Sequence, residues 1–96
     1  MKKSPAIYIM ANKPIGTLYT GVTSDLIKRV YQHKNPSTSG FTERYDCTLL
    51  VYYEQFEEMR QAIEREKQIK AGSRKNKIAL IEKLNPEWLD LYQGLL

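Results

Sequence analysis

This sequence predicts an α+β fold, a small sheet covered by helices. Three observations point to it. Two short runs of β-branched and aromatic residues near the start, 6–10 and 17–22, are separated by the turn residues Lys13, Pro14 and Gly16. A third such run occupies 48–53. Segments with a helical apolar repeat lie between the second and third runs and fill the chain after the third. The 96 residues are expected to form one domain over 1–96, with a core over about 5–84 and a C-terminal helix over about 86–94.

Each element has a local cause. Ala6-Ile7-Tyr8-Ile9-Met10 is a continuous apolar run bounded by Pro5 and Asn12, as in a buried strand. A hairpin is the economical link to the strand at 17–22, and Tyr8 and Tyr19 converge if both face the same way. Thr23, Ser24 and Asp25 are N-cap candidates for a helix starting at Leu26. Leu26, Ile27, Val30 and Tyr31 fill one arc of that helix, with Arg29 and His33 along its border. It must stop by Asn35, because Pro36 disfavours a helical residue before it. A polar loop follows at 36–40. The strand at 48–53 is expected to be the most buried. Over 57–71, Met59, Ala62, Ile63 and Ile69 share a helical face. Gly72 and Ser73 then end one helix and cap the next, at about 74–84. Asn85-Pro86 restarts a last helix anchored by Trp88, Leu89, Leu91 and Tyr92.

Composition excludes several function classes. Hydrophobic residues make up 42% and charged residues 27%, as in ordinary globular domains. No apolar run approaches the ~20 residues of a membrane span. No long apolar stretch follows Lys2 and Lys3, which argues against a signal peptide and for a cytoplasmic location. One cysteine, Cys47, and one histidine rule out an internal disulfide, a cysteine-based zinc site and a multi-histidine site. Fifteen Lys and Arg against eleven Asp and Glu give a net charge of +4. The excess is local: 67–77 holds Lys67, Lys70, Arg74, Lys75 and Lys77 and no acid, whereas 86–96 holds Glu87 and Asp90 and no base. Together with Lys2 and Lys3, that basic stretch suits contacts to backbone phosphates; a solvated helix face is the plainer reading.

Glu66 is the most informative single residue. It falls at the centre of an apolar arc, between Ile63 and Ile69, where a bare carboxylate is costly. Two readings stay open: a structural ion pair with Lys70 or Arg29, or a ligand for a hard divalent cation such as magnesium. Arg29 and His33, one turn apart, suit a phosphate; a solvated border is the commoner case for such a pair taken alone. Tyr8 and Tyr19 are core aromatics unless a nearby cation makes a phenol a proton acceptor.

These residues also carry a family resemblance. Ala6-Ile7-Tyr8 followed eleven residues on by Tyr19-Thr20-Gly21 resembles the paired signature of the GIY-YIG nuclease superfamily. Gly21-Val22-Thr23-Ser24-Asp25-Leu26, Arg29, Gln32-His33 and Arg65-Glu66-Lys67-Gln68-Ile69-Lys70 extend the match over about 5–84, in the manner of the small stand-alone bacterial members (YhbQ-like, URI-type). The resemblance implies a three-stranded antiparallel sheet flanked by helices and a metal-dependent DNA endonuclease. In that role Tyr8 and Tyr19 hold or deprotonate the attacking water, Arg29 holds the scissile phosphate, and His33 assists Tyr19. Glu66 is then the protein carboxylate on one Mg2+ (or Mn2+), and Gly21 keeps the strand end open for substrate. Ala6 and Thr20 depart from the signature, and the role of the family's site asparagine stays open, with Asn76 and Asn85 as candidates.

Two other classes remain as expectations. One is a nucleic-acid-binding module with weak or no catalysis that needs a partner. The other is an interaction domain whose apolar C-terminus, from Trp88 to Leu96, packs on the core or meets a protein partner or a second copy. The expected substrate is DNA, with flap, branched and single-stranded forms all open, and cutting that is structure-selective or weakly sequence-specific. Repair, recombination and defence against foreign DNA are all compatible with that chemistry.

Overall fold

The computed structural model describes residues 4–35 and 46–96. Lys2, Lys3 and the loop expected at 36–40 lie outside the described residues. Three strands, β1 (Ala6–Ala11), β2 (Leu18–Thr23) and β3 (Leu49–Gln55), form an antiparallel sheet in the order β2-β1-β3. Helix α1 (Leu26–Lys34) connects β2 to β3, and α2 (Met59–Ala71) and α3 (Arg74–Leu84) follow. This is the α+β architecture that the sequence predicts.

The middle strand is β1, not β3, and it is the most buried: all six of its residues are covered. A central strand has a neighbour on each side and a core on each face, so its sequence is apolar without alternation. Ile7, Ile9 and Ala11 point into one core with Val51, Ala62, Ile69, Ile81 and Trp88, under α2 and α3. Ala6, Tyr8 and Met10 point into the other with Leu26, Val30, Cys47 and Leu50, under α1. The predicted hairpin joins β1 to β2. Asn12 Oδ1 accepts from Thr17 N at 2.9 Å, and Gly16 N donates to Lys13 O. Ile15 at its tip has φ 56°, which for a β-branched residue carries strain of about 1–2 kcal/mol.

Helix α1 starts where expected, with Asp25 Oδ1 accepting from Lys28 N. On α2, Ala62 and Ile69 are buried, while Met59 and Ile63 are turned toward solvent. Arg65 on the same helix makes a forked pair with Glu54 of β3: Nε and Nη2 each donate at 3.0 Å, and the Tyr52 hydroxyl donates to the same carboxylate. Burial pushes the Tyr52 phenol up to about 12, reinforced by its bond to Glu54 and by that residue's charge. Burial also pushes Glu54 upward. The bonds from Arg65 and Tyr52 and the guanidinium charge outweigh it and hold the carboxyl below its usual range.

The helix expected over 86–94 does not form. Leu91 N and the side chains of Asn85 and Asp90 bond to β3 instead. A bulge in β3 pairs Ile9 with Tyr52 and Met10 with Leu50, leaving Val51 without a partner on β1. Buried Asn85 donates to Val51 O at 3.0 Å and to Leu89 O at 2.9 Å, and accepts from Leu89 N. Asp90 Oδ1 accepts from Leu50 N and Tyr92 N, Leu91 N donates to Leu50 O, and Lys34 closes an ion pair on Asp90. Trp88 takes φ 57°, is buried, and donates from Nε1 to Glu82. Only Tyr92–Leu95 coils, as one 3-10 turn. Trp88 therefore packs on the core, the plainer of its two expected roles.

Two outcomes follow. Asn85→Ala leaves Val51 O, Leu89 O and Leu89 N without their partner and destabilises the fold by about 2–3 kcal/mol, read as a lower urea midpoint. Glu54 contributes stability that is present above the ordinary carboxylate range and is lost as pH falls through its lowered folded value. Tyr52 contributes stability that is complete below pH 10 and is lost as pH rises toward about 12. Urea titrations from pH 7 down to 3 and up to 11 should show both slopes, with Glu54→Gln flattening the acid limb.

Candidate active site

The register of the hairpin builds the site. Tyr8 pairs with Gly21 and Tyr19 with Met10, so the two tyrosines lie diagonally on one face, ring centroids 6.2 Å apart. Helix α1 crosses that face with Leu26, Val30 and His33 as its buried stripe. His33 is therefore fully buried, not at the border where the apolar arc placed it, and Tyr31 takes the exposed side instead. Tyr8 Oη and His33 Nε2 share a hydrogen bond of 3.1 Å, and the Tyr19 ring lies 5.0 Å from the imidazole. The hydrogen bond thus joins His33 to Tyr8, while Tyr19 meets the imidazole through its ring and keeps 36% of its surface exposed.

Gly21 makes this arrangement possible. A Cβ there would stand 2.5 Å from both Cζ and Oη of Tyr8. The space above the glycine is filled by the phenol of this chain, which runs across β2 on its way to His33. The strand pairing and the tyrosine itself were legible in the sequence; the reason for the glycine was not.

Arg29 stands one turn before His33 on α1, half-buried. It lines an open cleft of about 250 Å³ with Thr23, Ser24, Asp25, Lys28 and Gln32. Glu66 lies on the other side of the sheet. It follows Ala62 by one turn on α2, which packs on β2 and β1 in the core opposite Tyr8. Its side chain is 13% exposed, and Lys70 Nζ sits 2.7 Å from Oε2. Of the two partners considered for an ion pair, the structure supplies Lys70. The sheet therefore gathers Tyr8, Tyr19 and His33 with Arg29 a turn away, while the helix that carries Glu66 packs on β2 and β1.

Among the described residues no group of three or more His, Cys, Asp or Glu converges on a metal-sized space. A cation at Glu66 would take one protein carboxylate and complete its shell with water and phosphate oxygens. That donor set suits magnesium, which retains several waters, and Oε1 takes no bond from a described residue.

The basic stretch divides. Lys67 and Lys75 are exposed. Lys70 is paired with Glu66, Arg74 donates to the carbonyls of Ile15 and Gly16, and Lys77 donates to those of Lys70 and Gly72. Asn85 is fully engaged at the β3 edge. Asn76, at the start of α3, lines the groove between α2 and α3 with Arg65, Gln68 and Lys77.

Gly21→Ala should break the Tyr8–His33 bond by displacing the phenol. Overpacking of this kind costs about 1–3 kcal/mol. The expected readouts are a lower unfolding midpoint and a changed ring-proton resonance for the single histidine, matched by Tyr8→Phe.

A family model described as the GIY-YIG catalytic domain matches residues 4–79. A UPF0213 protein of Staphylococcus saprophyticus is 40% identical over 75 residues, 78% of this chain and 90% of its own. One from Clostridium perfringens is 40% identical over 75 residues, 78% of this chain and 80% of its own. A third, from Staphylococcus haemolyticus, is 34% identical over 76 residues, 79% of this chain and 92% of its own. No solved structure matches the chain at a significant level. None of the described helices is long and apolar enough to cross a membrane. The chain belongs to the GIY-YIG family, a superfamily of nuclease-type hydrolases that bind nucleic acid and generally use divalent metal ions.

Proposed function

We propose that this protein is a divalent-metal-dependent DNA endonuclease that hydrolyses phosphodiester bonds and selects its substrate by structure more than by sequence. The observation that supports it most is the Tyr8 Oη–His33 Nε2 bond, with Tyr19 against the same imidazole and Arg29 one turn away. A buried imidazole bonded to a phenol is a short proton relay. The attacking water gives a proton to Tyr8 Oη as the phenol proton passes to His33 Nε2, and the hydroxide displaces the leaving oxygen at phosphorus. Tyr19, partly exposed, positions the water. Arg29 binds the scissile phosphate through charge-assisted bonds and stabilises the charge that builds there. A magnesium or manganese ion held by Glu66 would supply Lewis-acid stabilisation of the leaving oxygen. We place the activity in the bacterial cytoplasm, on branched, flap or single-stranded DNA, with repair as the class of task.

One observation favours a second reading, a nucleic-acid-binding module that needs a partner for catalysis: Lys70 already occupies an oxygen of Glu66. The exposed leucines Leu84, Leu89 and Leu96 offer such a partner, or a second copy, a surface.

Tag-free protein, Glu66→Ala and Tyr8→Phe should be incubated with labelled duplex, flap, junction and single-stranded DNA in magnesium, manganese or EDTA. The expected result is metal-dependent cleavage that Glu66→Ala abolishes and Tyr8→Phe slows by roughly 10²–10⁴-fold. Binding in EDTA without cleavage of any substrate would replace this reading with the second.

A further inference from the structure

Behind the edge strand β2, on the face opposite Tyr19, an open cleft of about 300 Å³ is lined by Thr17, Leu18, Thr20, Arg74 and Lys77. Three features distinguish it from an ordinary surface groove. Arg74 and Lys77 are fixed by backbone carbonyls rather than by carboxylates. Arg74 Nη2 donates to Ile15 O at 2.8 Å and Gly16 O at 2.7 Å, and Lys77 Nζ donates to Gly72 O at 2.8 Å. Such bonds position a cation without neutralising it, and each side chain keeps further donors. The first turn of α3 carries no acid, so the positive end of its dipole adds to the same field. Thr20 is 7% exposed, and among the described residues its hydroxyl has no hydrogen-bond partner. It stands in the wall of this cleft as a nearly buried, unused polar group.

We propose that this cleft is a phosphate-anchoring subsite that takes one non-scissile backbone phosphate of the nucleic acid, with Arg74 and Lys77 supplying charge and Thr20 a hydroxyl bond. The inference rests on the nucleic-acid reading above and extends it to residues outside the catalytic group. Thr20 lies between Tyr19 and Gly21 on one strand but faces the other way. A strand of nucleic acid crossing the outer edge of β2, which pairs with no other strand among the described residues, therefore meets the relay on one side and the anchor on the other. Contacts of this kind set register and carry no sequence information. They suit an enzyme that reads the shape of its substrate.

The test is binding to a labelled flap DNA in EDTA, read by fluorescence anisotropy between 50 and 300 mM salt with wild type, Thr20→Val, Lys77→Gln and Lys77→Arg, on the order of the salt range used to count phosphate contacts. Thr20→Val should weaken binding roughly tenfold with an unchanged salt slope. Lys77→Gln should make the slope shallower by about one charge, and Lys77→Arg should restore it. Amide resonances of Thr17, Leu18 and Thr20 should shift on adding the DNA. If the wild type binds but neither Thr20→Val changes the affinity nor Lys77→Gln the slope, the anchor is overturned and the nucleic-acid reading stands. If the wild type binds no nucleic acid, both fall. Shifts produced by inorganic phosphate and not by DNA would make the cleft a small-anion site and overturn the backbone assignment.

Discussion

The passage of the Tyr8 phenol over Gly21 is the contact on which the rest of the site depends. It fixes three things at once. It demands a residue without a side chain on β2, it brings a buried hydroxyl to the one histidine, and it draws α1 tightly onto the sheet because His33 must arrive at the same point. A side chain at position 21 would push Tyr8 away from β2 and strand a buried imidazole nitrogen, a polar group that is expensive to leave unpaired. Packing and chemistry are therefore the same constraint here. Tyr8 and His33 are held in place because both are core residues.

The two edges of the sheet are treated in opposite ways. Along β3 the chain seals itself: the bulge at Val51 is answered by Asn85, Leu50 is bonded by Asp90 and Leu91, and Lys34 ties the strap to α1. An edge closed by its own C-terminal segment is protected from pairing with other chains. Along β2 no described segment plays that part. Polar side chains flank this open edge on both faces, with the candidate residues Tyr8, Tyr19 and His33 on the α1 side and the Arg74–Lys77 cleft on the other. The helix α2 that carries Glu66 is anchored at a distance from this edge, through the fork between Arg65 and Glu54. A carboxylate on β3 and a guanidinium on α2 thus fix the helix that carries a second carboxylate.

The basic stretch shows how charge can be structural and available together. Arg74 stabilises a strained hairpin tip by bonding two of its carbonyls, and Lys77 caps the end of α2. Neither gives up its charge in doing so. A carboxylate partner would have cancelled the field, whereas a carbonyl only orients it. The residues that organise the junction of α2, α3 and the hairpin consequently present two positive charges beside the open edge of β2.

The sequence by itself determined the α+β class, the three strands, the two long helices with the Gly72–Ser73 boundary between them, and the placement of Tyr8 and Tyr19 on two strands joined by a hairpin. Those features follow from local periodicity, turn chemistry and a hairpin whose register is fixed by its short loop. Glu66 was legible as an anomaly for a similar reason, since helical spacing alone sets it among apolar residues. What only the tertiary structure decided is everything that depends on distant segments meeting. Strand order made β1 the buried centre instead of β3. The rotation of α1 against the sheet buried His33 and exposed Tyr31, which an arc drawn on an isolated helix does not show. The last segment has helical local signals, yet the bulged edge strand is met by the Asn85 and Asp90 side chains and by Leu91 N, and the segment runs along it as a strap. Local pattern fixes which face an element prefers; only the packed molecule fixes which competing hydrogen bonds are satisfied.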